Sequence, residues 1–295
     1  MTHELWILAI ACLMGTCCAL VGALMVLRQM AMIGDALSHT VLLGLVVAFM
    51  VTGSRSITVM FIGAILVGLM TVFFTDLLNR MGKLQKDASI GIIFTFMFAV
   101  AVILISVYTG EIDIDQDHLL YGEIAFAPFD TLEWNGSEVG PRAFWTLLLV
   151  AIANLLFIIL GYRQLQAVAF NASLAAALGM TINLIHYALM TMVSLTTVAS
   201  FEAVGAILVV AMLVIPANTA YLISKSMHSM LVWSVFFAIV ASISGYYLAV
   251  WADASISAAI AMMAGFIFLV VLLLFNPNNI VLRYLRRCRV IGSHH

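Results

Sequence analysis

Long apolar runs, broken by short polar connections, dominate the chain. Nine of them approach the ~17–25 residues that cross a bilayer as a helix: roughly 5–27, 32–52, 57–78, 88–109, 143–162, 181–200, 204–223, 229–251 and 255–275. This pattern predicts an all-α, polytopic helical membrane protein of about nine segments, forming one transmembrane domain over 1–291. The first run lacks a basic leader, is too long for a signal-peptide core and is followed by Arg28, so it predicts a span. The connection 110–142 is long and acidic, 163–180 is polar at its start and then Ala-rich, and 276–291 forms a basic tail. The final Gly292-Ser293-His294-His295 reads as a tag remnant.

Composition agrees with the pattern. Hydrophobic residues make up 65% of the 295 and charged residues 9%, against about 25% charged in soluble domains; mean hydropathy is +1.18. A net charge of −2 gives no sign of nucleic-acid binding. Cys12, Cys17 and Cys18 share one apolar run and Cys288 lies in the tail, so neither a disulfide framework nor a zinc site emerges.

Lys and Arg set the expected orientation. One side of the membrane carries Arg55 and Arg142. The other carries Arg28, Arg80, Lys83, Lys86, Arg163, Lys225, Arg283, Arg286, Arg287 and Arg289. The richer side is expected to be cytoplasmic, with the N-terminus outside, the C-terminus inside and an odd number of spans.

Polar interruptions of the apolar runs are where chemistry is expected. Residues 28–44 read RQMAMIGDALSHTVLLG and place Asp35 and His39 at the start of the second run. An Asp at a helix centre in the membrane costs roughly 2.5–3.5 kcal/mol. Spacing i,i+4 puts both side chains on one helix face, where they can share a divalent cation or form a hydrogen bond that merely orients helices. One helix offers two ligands, and a two-fold partner would make four. Glu202 interrupts 194–223 as a weaker metal candidate; it could instead snorkel to the outer surface. Gly205 and Pro216 make 200–216 the segment expected to be irregular. Gly63 and Gly68, and Ala258, Ala261 and Gly265, predict close helix packing. His186 and His228 read as interfacial polar residues.

Two connections carry further expectations. Residues 163–180, RQLQAVAFNASLAAALGM, predict a short helix at the cytoplasmic face, started by Asn171 or Ser173 and ended by Gly179. Such a helix either transmits force to a soluble partner or simply connects two spans. The carboxylates of the outer connection (Glu111, Asp113, Asp115, Asp117, Glu123, Asp130, Glu133 and Glu138) read either as a docking surface or cation-attracting vestibule, or as a plain solvated loop.

The chain contains no G-x-x-x-x-G-K-[ST], H-E-x-x-H or G-x-S-x-G. Uphill movement of an ion therefore needs a partner or a coupling ion. Ser38 and Thr40 flank His39 but leave its face, so no nucleophile–base pair is apparent.

Five stretches together resemble the membrane permease subunit of ABC importers for manganese, zinc or iron, over about residues 10–277. They are GDALSHTVLLG at 34–44, KDASIGIIFTFMFAVAVILIS at 86–106, LYGEIAF at 120–126, LIHY at 184–187 and TVASFEAVGAILVVAMLVIPA at 197–217. The manganese-type branch is the most similar. The resemblance implies a fold similar to vitamin B12-type importer permeases lacking their first helix. It also implies a second permease subunit (the same chain or a sister), a cytoplasmic ABC ATPase dimer that carries the ATP, and an extracytoplasmic metal-binding protein. No permanently bound cofactor is expected, since the metal (Mn²⁺, possibly Zn²⁺ or Fe²⁺) is cargo. The family's intramembrane ligands fall on Asp35 and His39, and its ATPase-coupling element on Phe170, Asn171, Ala172, Leu178 and Gly179. Where the family often has F-D-P, this chain has Phe170-Asn171-Ala172. The competing readings are a secondary transporter or channel for divalent metals, and an intramembrane metal-dependent hydrolase.

Overall fold

A computed structural model describes residues 3–53, 57–82, 84–108, 124–134 and 137–275. The acidic positions 111–123, the basic tail 276–291 and residues 292–295 lie outside the described residues. The helices are α1 His3–Leu27, α2 Ala31–Thr52, α3 Ile57–Gly82, α4 Lys86–Tyr108, α5 Arg142–Phe170, α6 Ala172–Ala177, α7 Ile182–Val204, α8 Ala206–Ile223, α9 Met227–Ala252 and α10 Ile256–Phe275. Among the described residues, nine of these are long and apolar enough to cross a membrane. Between α4 and α5 lie a 3-10 turn, Ala127–Phe129, and a small antiparallel hairpin of β1 Thr131–Trp134 and β2 Ser137–Pro141.

The nine expected runs match the nine long helices, with two informative departures. Helix α5 does not stop near 162 but continues to Phe170, because Arg163–Phe170 contains no Gly or Pro and its apolar positions Leu165 and Val168 stay buried. The irregularity expected over 200–216 is confined to Gly205. Its φ of 81° separates α7 from α8, whereas Pro216 sits inside a continuous α8.

Helix α1 is the centre of the bundle and packs against α5, α7, α8 and α9. Its small residues let neighbours close in. A Cβ on Gly22 would collide with the backbone carbonyl of Leu213 on α8. Ser234 and Ser242 on α9 donate to the carbonyls of Ala19 (3.1 Å) and Ala11 (3.2 Å). These hydroxyls meet the requirement that polar groups find partners within the protein where no water reaches. Cys17 does the same, donating to Leu147 O at 3.5 Å, and Asn154 on α5 donates to Thr196 on α7 at 2.8 Å.

Helices α2, α3 and α4 form a second group laid against α7 and α8. Gly44 and Gly63 bring α2 and α3 into backbone contact: a Cβ on Gly44 would stand 2.5 Å from Ala64 Cα. Gly68 likewise makes room for Ser194. Of the expected stripe, Ala261 packs partly buried against the core, while Ala258 is exposed. The buried residues of α10 are Ser257, Ala259, Ile260, Ala264 and Val271, and a Cβ on Gly265 would meet nothing within 4 Å.

These contacts predict a sharp contrast between glycines. Gly22→Ala and Gly44→Ala overpack backbone against backbone and should each cost about 1–3 kcal/mol, read as a lowered thermal midpoint of the protein in mild detergent. Gly265→Ala should leave the midpoint unchanged.

Candidate metal pathway and coupling element

Helix α2 buries Ile33, Gly34, Ala36, Leu37, Ser38, Thr40 and Val41. Asp35 and His39 occupy the remaining face, with side chains 41% and 35% exposed. His39 Nε2 stands 3.6 Å from Asp35 Oδ1. Two atoms each about 2.1 Å from one ion lie about 3–3.5 Å apart at octahedral to tetrahedral angles, so a slight approach would let both reach one ion. One side of the imidazole is covered by α4: His39 stacks on Phe94 (centroids 5.7 Å) and meets Phe98 edge-on (5.6 Å). The pair is thus held on one flank by aromatic rings and open on the other.

Among the described residues, no three of His, Cys, Asp and Glu come together as a metal-binding group. Glu202 does not join Asp35 and His39. It lines a separate, mostly apolar cleft of about 120 Å³ with Val41, Leu45, Phe61 and Phe201. The neighbouring hydroxyls are occupied locally, Ser38 Oγ donating to Gly34 O at 3.0 Å and Thr40 Oγ1 to Leu37 O at 3.3 Å. Neither is poised as a nucleophile.

The connection from α5 to α7 is built as a rigid corner. Asn171 leaves the helical region at φ −152° and caps α6 by accepting from Leu174 N. Ser173 Oγ, the other expected starter, donates to Asn171 Oδ1 at 2.7 Å. At the far end Gly179 adopts φ 80°. Gly179 N donates to Ala176 O and Met180 N to Ala175 O, closing a Schellman motif. Ala175 is fully buried, whereas Phe170, Leu174 and Leu178 are 62%, 56% and 67% exposed. Phe170 ends α5, Leu174 lies within α6 and Leu178 is its C-cap, so together they give an exposed apolar stripe to a corner whose six-residue helix is too short to span a membrane.

One polar pair was not legible in the sequence. His186, expected as an interfacial polar residue, is buried within the protein at 7% exposure, and its Nε2 lies 3.0 Å from Asp76 Oδ2 on α3. The signal that could have found it is Asp76 itself, a carboxylate near the end of a 26-residue helix otherwise rich in apolar residues. Its partner is 110 residues away, beyond the reach of local spacing.

The arrangement can be set beside known proteins. The profile of the ABC 3 transport family matches residues 3–275. The chain is 45% identical to the manganese transport system membrane protein MntD of Bacillus subtilis, covering 97% of both chains. It is 38% identical to the zinc transport system membrane protein TroD of Treponema pallidum, over 99% of this chain and 78% of that one. Among solved structures it resembles PsaBC from Streptococcus pneumoniae in complex with Fab. The TM-score is 0.78 at 31% identity, covering 97% of this chain and 95% of that one. With nine candidate spans and a family match over nearly its whole length, the chain is a multi-pass membrane transport subunit and belongs to the ABC 3 transport family.

Proposed function

We propose that the chain is the permease subunit of an ATP-driven importer of divalent transition metals, with Mn²⁺ as its principal cargo. The observation that carries this reading is the half-exposed Asp35–His39 pair, two mixed ligands on one membrane helix with an open flank. A second permease subunit presenting the same face completes four ligands. The extracytoplasmic binding protein delivers the ion, and a cytoplasmic ATPase dimer docks on the Phe170–Leu174–Leu178 stripe. The MntD and PsaBC relatives, whole-length and alike in fold, support the same assignment.

Carboxylate and imidazole suit Mn²⁺, Fe²⁺ and Zn²⁺ alike, and Mn²⁺ binds most weakly of these. Selection therefore rests on delivery and geometry rather than raw affinity. A site without thiolate also releases its ion readily. The positive-inside count places α6 in the cytoplasm and the hairpin outside. A secondary transporter or channel leaves the exposed apolar stripe on α6 without a purpose. A hydrolase lacks a free nucleophile at the pair, since Ser38 and Thr40 bond their own helix.

Uptake of Mn²⁺ into proteoliposomes holding the permease, ATPase and binding protein tests the reading. Loss of an outer-shell partner costs about 10–100-fold at metal sites, so Asp35→Asn and His39→Ala should each lower uptake at least about tenfold. Both variants should insert and assemble normally. Wild-type uptake in both would remove the pair from the pathway, and uptake without ATP would favour the secondary transporter.

A second experiment addresses coupling. Leu174→Ser with Leu178→Ser should abolish co-purification of the ATPase while metal binding to the permease persists. Asn171→Ala removes a cap worth about 1 kcal/mol and should weaken metal-stimulated ATP hydrolysis without detaching the ATPase. Normal stimulation in both variants would reduce α6 to a plain connector.

A further inference from the structure

A cavity of about 230 Å³ opens where the α1–α2 turn meets the ends of α3, α4 and α7. It lies at the end of the bundle where α7 begins, and Met30 and Ile33 beside the start of α2 line it. Three cations line it, Arg28 from the turn, Arg80 from α3 and Lys86 from α4. The single carboxylate in the lining, Asp76, is already engaged by His186 at 3.0 Å. With His186 neutral, the formal sum is +2 from three cations and one anion.

Arg80 and Lys86 are exposed at the mouth of the cavity, whereas Arg28 is partly buried. Arg28 Nη1 is buried with no hydrogen-bond partner. Burial pushes the Arg28 guanidinium below its usual range, against the opposing pull of Asp76. A buried donor without a partner carries a desolvation cost, which an anion in the cavity would relieve. The turn is itself held in a costly shape: Gln29 sits at φ 55°, sparsely populated for a residue with a side chain. Its neighbours are fixed by Arg28 N donating to Leu24 O (3.2 Å) and Met30 N to Met25 O (3.0 Å).

We infer that this cavity is a binding site for a phosphate-bearing anion, held by Arg28, Arg80 and Lys86. Arginine offers a planar fork that matches phosphate oxygens, and lysine a point charge. A basic pocket between membrane helices at the inner face is a recognised form of headgroup site. A lipid phosphodiester and a free phosphate share this chemistry. Three cations disfavour the divalent cargo here, so the site is distinct from the Asp35–His39 pair and does not depend on which metal is carried.

Native mass spectrometry of the full chain, purified with its bound subunits and offered equal phosphatidylglycerol and phosphatidylcholine, tests the site. One charge-assisted contact corresponds to about tenfold in affinity. Wild type should therefore retain phosphatidylglycerol about tenfold over phosphatidylcholine, and Arg80→Gln with Lys86→Gln should erase the preference. Arg163→Gln with Lys225→Gln, exposed cations outside the cavity, should keep it. If lipid is not discriminated but inorganic phosphate raises the thermal midpoint of wild type and not of the Arg80/Lys86 variant, the anion is free phosphate. No lipid preference and no phosphate effect would overturn the inference. So would responses that survive in the Arg80/Lys86 variant or vanish equally in the Arg163/Lys225 control.

Discussion

A hydroxyl, thiol or amide on a membrane-spanning helix must find its partner inside the protein, and this requirement shapes the bundle. Helix α1 carries few polar side chains, yet it is where other helices resolve theirs. Ser234 and Ser242 reach its carbonyls from one side, and its own Cys17 reaches α5 on the other. Such bonds work only at short range. The glycines that let α8 and α9 approach α1, Gly22 and Gly15, therefore belong to the same constraint. Packing here is driven by close contact rather than by expulsion of water, because lipid tails are as apolar as the helices themselves.

Against that background the groups left unsatisfied or open stand out. The α2 face bearing Asp35 and His39 is covered on one flank only, by Phe94 and Phe98. The α6 stripe is uncovered, and the cavity under the α1–α2 turn retains an unpaired guanidinium nitrogen. Each lies on an element whose backbone is otherwise tightly specified. Asn171 caps α6, Gly179 closes it, and the turn at Gln29 is held by its own backbone bonds. Rigid framing of an incomplete surface is what a site completed by another molecule requires.

Much of this was legible in the chain itself. Span positions followed from hydropathy, and the ends of α6 from the conformational preferences of Asn171 and Gly179. The i,i+4 geometry of Asp35 and His39 needed only the helical repeat. What local reasoning missed was long-range or one position out of phase. The Asp76–His186 bond joins residues far apart in the chain. On α10 only Ala261 of the expected small-residue stripe packs against the core, because a helix apolar all round carries no amphipathic signal to phase it. The extension of α5 past 162 went unseen because Arg163 and Gln164 look like a membrane boundary, while a helix can leave the bilayer without ending.

The open flank of the metal pair bears directly on transport. A closed four-ligand site within one chain would bind the ion in every conformation, and a ligand with equal affinity for two states shifts neither. On the proposed reading, two ligands per chain on a face completed by a second subunit would make the coordination number depend on how closely the two faces approach. Moving such faces apart would remove two ligands at once, so separation of the two faces would by itself lower affinity and release the ion. Helix α4 runs from the basic cavity to this face. Lys86, Ile90, Phe94 and Phe98 recur every four residues along one side of it, the first two lining the anion cavity and the last two covering His39. The basic cavity and the cover of the imidazole therefore share one row of side chains on α4.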